Sequence, residues 1–302
     1  MALHWLSDSA AAEYLPVAAR PPIQSPAITE ASGLAISSTN PEFMWIINDS
    51  GGTPDVHLAG TDGTDRGKVT LADTRNIDWE DLAPFTLGGK NYLLVADTGD
   101  NGSKRESCTL HILREPALPA DGEKLAGTVV PAWRIQFCYE GGPRDCEAVA
   151  VDAKAGNIIL ISKRTEPPEV YQLPLRPPDG SGLPIARRIG RTEVKSPLDS
   201  LVPFRNQATG LGIAADNSLA AVVTYYGVFL FPRKPAESWA AAFAKPPVAL
   251  QPHLLGKAES VAFSKDGKTI YALSEGRGSP LARYQIPARG QRLNEGNILN
   301  AR

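Results

Sequence analysis

The sequence is short of cysteine and histidine, and it has no long apolar run. Each shortage removes a class of function. Cys108, Cys138 and Cys146 are the three cysteines among 302 residues. An odd number without CxxC spacing argues against a zinc ribbon or a disulfide framework and leaves only a single Cys138–Cys146 bridge open. His4, His57, His111 and His253 stand apart from one another, which suits surface or structural histidines better than a catalytic base. No apolar stretch approaches the roughly 20 residues that span a bilayer. The N-terminal segment, with His4, Asp8 and Glu13, lacks the basic start and apolar centre of a signal peptide. The compartment therefore stays open between cytoplasmic and, where a leader has been removed, periplasmic or secreted. A formal net charge of −2 supplies no concentrated basic face, so neither nucleic acid nor an anionic membrane is expected as a partner. There is no GxSxG elbow, HExxH pair, P-loop or complete dinucleotide fingerprint.

What the chain does contain is turn chemistry and apolar strands. The 27 glycines and 26 prolines are spread along its length, as suits many short strands joined by turns. Residues 237–245, with Trp239 and four alanines, form the one segment that reads as a short helix.

The organising feature is a repeat. Trp79-Glu80-Asp81-Leu82-Ala83 has counterparts at Ala31-Ser32-Gly33-Leu34-Ala35, Cys146-Glu147-Ala148-Val149-Ala150, Ala208-Thr209-Gly210-Leu211-Gly212 and Ala258-Glu259-Ser260-Val261-Ala262. Successive copies lie about 50 to 70 residues apart, the period of a repeated β unit. After each copy the chain reads as further strands. In the second unit these are 92–96, 108–113 and 129–139; in the third, 158–162, 170–173 and 186–194; in the fourth, 219–225, 228–231 and 248–252. The fifth unit is one strand short, and residues 14–18 are the simplest source of the missing one. This predicts an all-β fold, a β-propeller of five four-stranded blades with six as the alternative count. The ring is closed by the N-terminal strand, in one domain over residues 1–302.

In a propeller the first strand of each blade lines the central channel, so Ser32, Glu80, Glu147, Thr209 and Glu259 are expected to converge. Three carboxylates in a narrow tunnel repel one another and need neutralising. A hard divalent cation, calcium above all, would do so through oxygen ligands. The alternative is that these side chains bond to neighbouring backbone N–H groups. Loops after the second strands should open on the same end. They carry Asn48 and Asp49, Asp97 with Asp100 and Asn101, Lys163 and Arg164, Tyr225 and Tyr226, and Glu275 and Arg277. Asp49, Asp97 and Glu275 are the candidate proton acceptors, and Lys163, Arg164, Tyr225 and Arg277 the candidate substrate contacts. Trp45, Trp79 and Trp133 read as packing between blades.

The polar residue followed by Gly or Ala, an aliphatic residue and Ala resembles the strand start of the calcium-dependent propeller hydrolases, the gluconolactonase, paraoxonase and diisopropylfluorophosphatase group. The phrases Asn48-Asp49-Ser50-Gly51, Asn76-Ile77-Asp78-Trp79-Glu80-Asp81 and Asp97-Thr98-Gly99-Asp100-Asn101 resemble a family of largely uncharacterised bacterial propeller proteins over most of the chain. The first resemblance implies a channel metal held by Glu80, Glu147 and Glu259, with Ser32 and Thr209 as weaker or water-mediated contributors. That group has six blades and mixes Asn, Asp and Glu at the position, whereas this chain offers three Glu and five repeats.

Three functions are weighed. The first is a metal-dependent hydrolase of phosphoesters or lactones, a monomer acting on a small ester or phosphoester. The second is a metal-independent glycosidase using channel carboxylates, with Glu80 and Glu147 as the first pair. The third is a propeller that binds a protein or glycan without catalysis.

Overall fold

In the computed structural model, residues 14–17, 22–178, 180, 182–195 and 204–286 are described. After the short β1 (Leu15–Val17), the strands β2 (Ala31–Ile36), β3 (Phe43–Asn48), β4 (Asp55–Gly60) and β5 (Asp65–Leu71) form an antiparallel meander. The next meander contains β6 (Trp79–Leu87), β7 (Lys90–Asp97) and β8 (Cys108–Arg114). The chain then detours to place β9 (Thr128–Val129) parallel to the outer edge of β5, and returns as β10 (Trp133–Tyr139) beside β8. The strand expected at 129–139 is therefore two strands. Pro131 lies between them and cannot donate to a ladder, so pairing stops there and restarts on another neighbour.

The third meander is β11 (Cys146–Asp152), β12 (Asn157–Ser162), β13 (Glu169–Pro174) and β14 (Ile185–Arg191). The start of β14 pairs in parallel with the end of β10, which joins the second and third meanders into one eight-stranded sheet. The fourth comprises β15 (Gly210–Ile213), β16 (Leu219–Val223), β17 (Val228–Pro232) and β18 (Val248–Ala249), with α1 (Trp239–Phe243) between the last two. This helix is shorter than the 237–245 expected, because Ser238 caps it by accepting the Ala241 amide and Pro246 follows closely. The final strands β19 (Ala258–Phe263), β20 (Thr269–Ser274) and β21 (Leu281–Gln285) share their sheet with β1, which pairs antiparallel with β21.

The architecture is all-β and of propeller type. Strand β2 packs against both β6 and β19, β11 against β6 and β15, and β15 against β19, so the first strands of the meanders surround a common axis. Apolar runs such as Met44-Trp45-Ile46-Ile47 have no polar face because each sheet is covered on both sides. Met44 and Ile46 enter one hydrophobic cluster and Trp45 and Ile47 the next. Ile158 and Leu160 alternate with Ile159 and Ile161 in the same way. Burying each such side chain contributes about 1.5–3 kcal/mol, and a one-residue slip would exchange the two clusters.

Along the axis the channel narrows to a void of about 30 Å³ among Leu34, Leu82, Val151, Leu211 and Val261. At its far end it widens into a cavity of about 450 Å³ bordered by Phe85, Ile213, Phe263, Lys154 and Lys265. The three cysteines are free, so the Cys138–Cys146 bridge is not formed; the Cys146 thiol lies 3.3 Å from the Ile161 carbonyl. Of the histidines, His4 lies outside the described residues. His57 and His111 are buried in strands, and His253 bonds to the Thr224 carbonyl. No helix among the described residues is long and apolar enough to cross a membrane.

Candidate functional site

The repeated polar position has a common backbone cause. Pairing with the second strand slips between Ala31 and Gly33, Trp79 and Asp81, Cys146 and Ala148, and Ala258 and Ser260. Ser32, Glu80, Glu147 and Glu259 are thus each the extra residue of a β-bulge, a device that re-aims a side chain out of the ladder. The following position is small where neighbouring first strands press together. A Cβ on Gly33 would lie 2.6 Å from the Leu82 nitrogen, and one on Gly210 would lie 2.7 Å from the Glu259 carbonyl oxygen.

Asp81 is the exception at that position, and it acts as a tie. It is fully buried; one carboxylate oxygen accepts the Val149 amide at 2.8 Å and the Leu211 amide at 3.0 Å, and the other accepts the Leu82 amide at 2.8 Å. One side chain on β6 thereby joins β11 and β15. Burial drives its pKa well above the usual carboxylate range, against the three amides, which favour the charged form.

At the channel mouth, the five expected ligands divide by role. The Ser32 hydroxyl donates to the Trp79 carbonyl at 2.7 Å, and the Thr209 hydroxyl to the Ala258 carbonyl at 2.7 Å. Thr98, one strand over, donates to the Cys146 carbonyl at 2.8 Å. These buried hydroxyls satisfy carbonyls of the adjoining first strand, and their protons point at the protein.

Glu80 and Glu147 do converge, joined by two acids that the repeat does not mark. The carboxylates of Asp49, Asp78 and Glu80 form one group and those of Glu80, Asp145 and Glu147 a second, with the ligand atoms of each group within 4.8 Å of one another. Glu80 belongs to both and is only 4% exposed, yet no donor among the described residues bonds to its carboxylate. Burial and the nearby Glu147, Asp49, Asp78 and Asp145 push its pKa well up. Burial and Asp49 likewise push Asp78 up to about 6. Gly99 backs this group so closely that a Cβ there would lie 2.1 Å from Glu80 Oε1 and 2.5 Å from Asp78 Cγ.

Glu259 lies apart from both groups. It accepts a hydrogen bond from the Tyr225 hydroxyl at 2.9 Å, sits 3.9 Å from Lys163 Nζ and is hydrogen-bonded to Glu275. Burial, then Glu147 and Glu275, push it up to about 9, which favours its protonated form. Lys163 is buried, with Nζ 2.5 Å from Glu147 Oε1 and 3.2 Å from the Tyr225 hydroxyl. Burial opposes its charge, but Glu147 outweighs burial and raises its pKa. Burial pushes Glu147 up to about 7, and Lys163 keeps it from rising further.

The remaining expected residues take different places. Asp97 is buried, ion-paired with Arg105 at 2.7 Å, and accepts the Ile77 and Asp78 amides. It braces the loop that carries Asp78. Asp49 joins the acid group. Glu275 also ion-pairs with Lys257 at 3.1 Å. Arg164 borders the second acid group: its Nε donates to Asp145 at 2.6 Å and its terminal nitrogen to Asn101. Arg277 is exposed on the loop after β20. Asp78 and Asp145 each stand two residues before a repeated glutamate, and that offset is the signal that would have found them.

No protein-family model matches the chain, and no curated protein matches it. Solved structures match at low identity. A chain of a nidogen/laminin complex is 15% identical, with 82% of this chain and 73% of that one covered and a TM-score of 0.45. A Bacteroides uniformis protein, provisionally assigned as a 6-phosphogluconolactonase, is 13% identical, with 87% and 69% covered and a TM-score of 0.38.

Proposed function

We propose that the chain is a five-bladed propeller, a single domain closed by β1, that hydrolyses a small ester, lactone or phosphoester with the help of a divalent cation at the channel mouth. The observation that carries this reading is Glu80, a buried carboxylate without a hydrogen bond from any described residue, held between Asp78, Asp49, Asp145 and Glu147. Asp49, Asp78 and Glu80 fit such an ion. Their donors are all hard oxygens, and the first group contains no cationic side chain of its own. Unequal carboxylates, two half-buried and one buried, suit the variable coordination of calcium better than the strict octahedron of magnesium.

When bound, the ion would polarise a carbonyl or phosphoryl oxygen and lower the pKa of a bound water. The chain supplies the rest. Glu259, whose burial favours the protonated form and which Tyr225 orients, donates a proton to the leaving oxygen, and Glu275 beside it shares that proton. Lys163 favours the ionised form of Glu147, and the Gly99 backbone holds Glu80 and Asp78 in place.

The test is elemental analysis before and after chelation, with an ester, lactone and phosphoester screen on both samples. Turnover lost on chelation and restored by calcium supports the proposal. Turnover of glycosides that survives chelation would move the chemistry to the carboxyl pair Glu80 and Glu147. An ion that raises only the melting temperature would make the site a structural plug in a binding propeller.

A further inference from the structure

We infer that Lys163 occupies the place of a second divalent cation, so that the channel mouth takes one exchangeable ion and carries its other positive charge as a built-in ammonium. The inference rests on the ion-binding reading above and extends it to the number of ions held. Two three-carboxylate groups share Glu80. A carboxylate common to two adjacent groups is placed as a bridging ligand is placed between paired ions in two-metal hydrolytic sites.

The two groups differ in how the protein has treated them. In the group of Asp49, Asp78 and Glu80, Asp49 accepts the Ser50 amide and is hydrogen-bonded to Asp78, and Glu80 has no donor among the described residues. Around Asp145 and Glu147 every carboxylate is met by a cation. Arg164 Nε lies 2.6 Å from Asp145 Oδ2, while Asp145 Oδ1 accepts the Asp100 amide at 2.9 Å. Lys163 Nζ lies 2.5 Å from Glu147 Oε1.

Lys163 is also built in from other sides. Its residue is 5% exposed, its backbone nitrogen donates to the Asp145 carbonyl at 3.0 Å, and its ammonium stands 3.2 Å from the Tyr225 hydroxyl and 5.3 Å from that ring's centre. A lysine ammonium is a compact point charge, so it can neutralise a carboxylate as an ion does. It is covalently fixed, however, and cannot leave on chelation. Without it, Glu80 and Glu147 would face each other uncompensated in a buried site, which is costly unless a cation enters.

The test counts calcium ions per chain by equilibrium dialysis with elemental analysis on the wild type, K163Q, K163R and the double variant E147Q/K163Q, each checked for folding by circular dichroism. The inference expects one ion in the wild type and K163R, two in K163Q, and one again in E147Q/K163Q. One ion in K163Q beside one in the wild type overturns it. No ion in the wild type removes both the inference and the ion-dependent hydrolase reading, whatever K163Q binds. If K163Q folds only when calcium is present, the ion is replacing the ammonium, as inferred. If it stays unfolded in calcium while E147Q/K163Q folds without it, the ammonium has no ionic substitute and the inference fails.

Discussion

Asp81 and Leu211 are 130 residues apart in sequence, and the carboxylate of one accepts the amide of the other at 3.0 Å across the channel. The same oxygen holds Val149, so a single side chain fastens three first strands above the apolar narrowing. Asp81→Ala would remove the acceptor of three buried amides, the cross-strand pair Val149 and Leu211 and that of Leu82. An unsatisfied buried donor costs about 1–3 kcal/mol, so the variant should lose roughly 2–5 kcal/mol in urea denaturation. Asp81→Asn keeps one acceptor oxygen and should lose less. Equal stability of D81A and wild type would show that the tie does not hold the strands.

Ser32→Ala and Thr209→Val should each cost about 1 kcal/mol, the usual net worth of a hydrogen bond, because each leaves a buried carbonyl without its hydroxyl donor. Neither should change calcium stoichiometry in a dialysis measurement. A variant that lost the ion while keeping its stability would return the hydroxyls to the ligand role the repeat suggests.

Gly99→Ala should act on the ion more than on the fold. The new methyl meets the ends of Glu80 and Asp78, and both can swing away only by leaving the acid group. Supporting-residue changes at metal sites typically cost about 10–100-fold in affinity, and calorimetric titration of calcium should read a loss of that order. Unchanged affinity would mean that Glu80 does not hold the ion.

The pH dependence has a definite sign. Asp78, Glu147 and Glu259 have folded-state pKa values raised to about 6, about 7 and about 9. In the unfolded chain they return to the ordinary carboxylate range near 4. The folded state therefore binds more protons between these limits, and the associated stability, complete at low pH, is lost as pH rises through the folded values. In chelator, the melting temperature should fall from about pH 5 to about pH 9. With calcium the fall should shrink or reverse, since the ion binds ionised carboxylates and competes with protons. Parallel curves with and without calcium would count against an ion at this site.

The fold was readable because its repeat joins a polar residue to a small one and an apolar run, and each part has a physical reason. The bulge needs the polar residue turned inward, and close strand contact needs Gly33 and Gly210. Convergence of Glu80 and Glu147 was readable for the same reason. The neutralising charge was harder to see, because Lys163 sits one loop later than the residue it serves and a sequence does not show which loop folds over which strand. Asp81 hid in plain view: it stands where the other copies carry Gly33, Ala148, Gly210 and Ser260, and only the crossing of the channel explains a carboxylate there. Val130 and Pro131 misled because an apolar run suggests continuous pairing, while a proline within it stops the ladder.

The bulges also separate two tasks that most strands must combine. At Ser32, Glu80, Glu147 and Glu259 the pairing register is already interrupted, so the residue there is not fixed by the demands of the sheet. An engineer could rewrite these positions in turn, exchanging carboxylate, amide or imidazole, and leave the regular ladders on either side untouched. The propeller would then serve as a fixed socket whose chemistry is set by a handful of interchangeable pins.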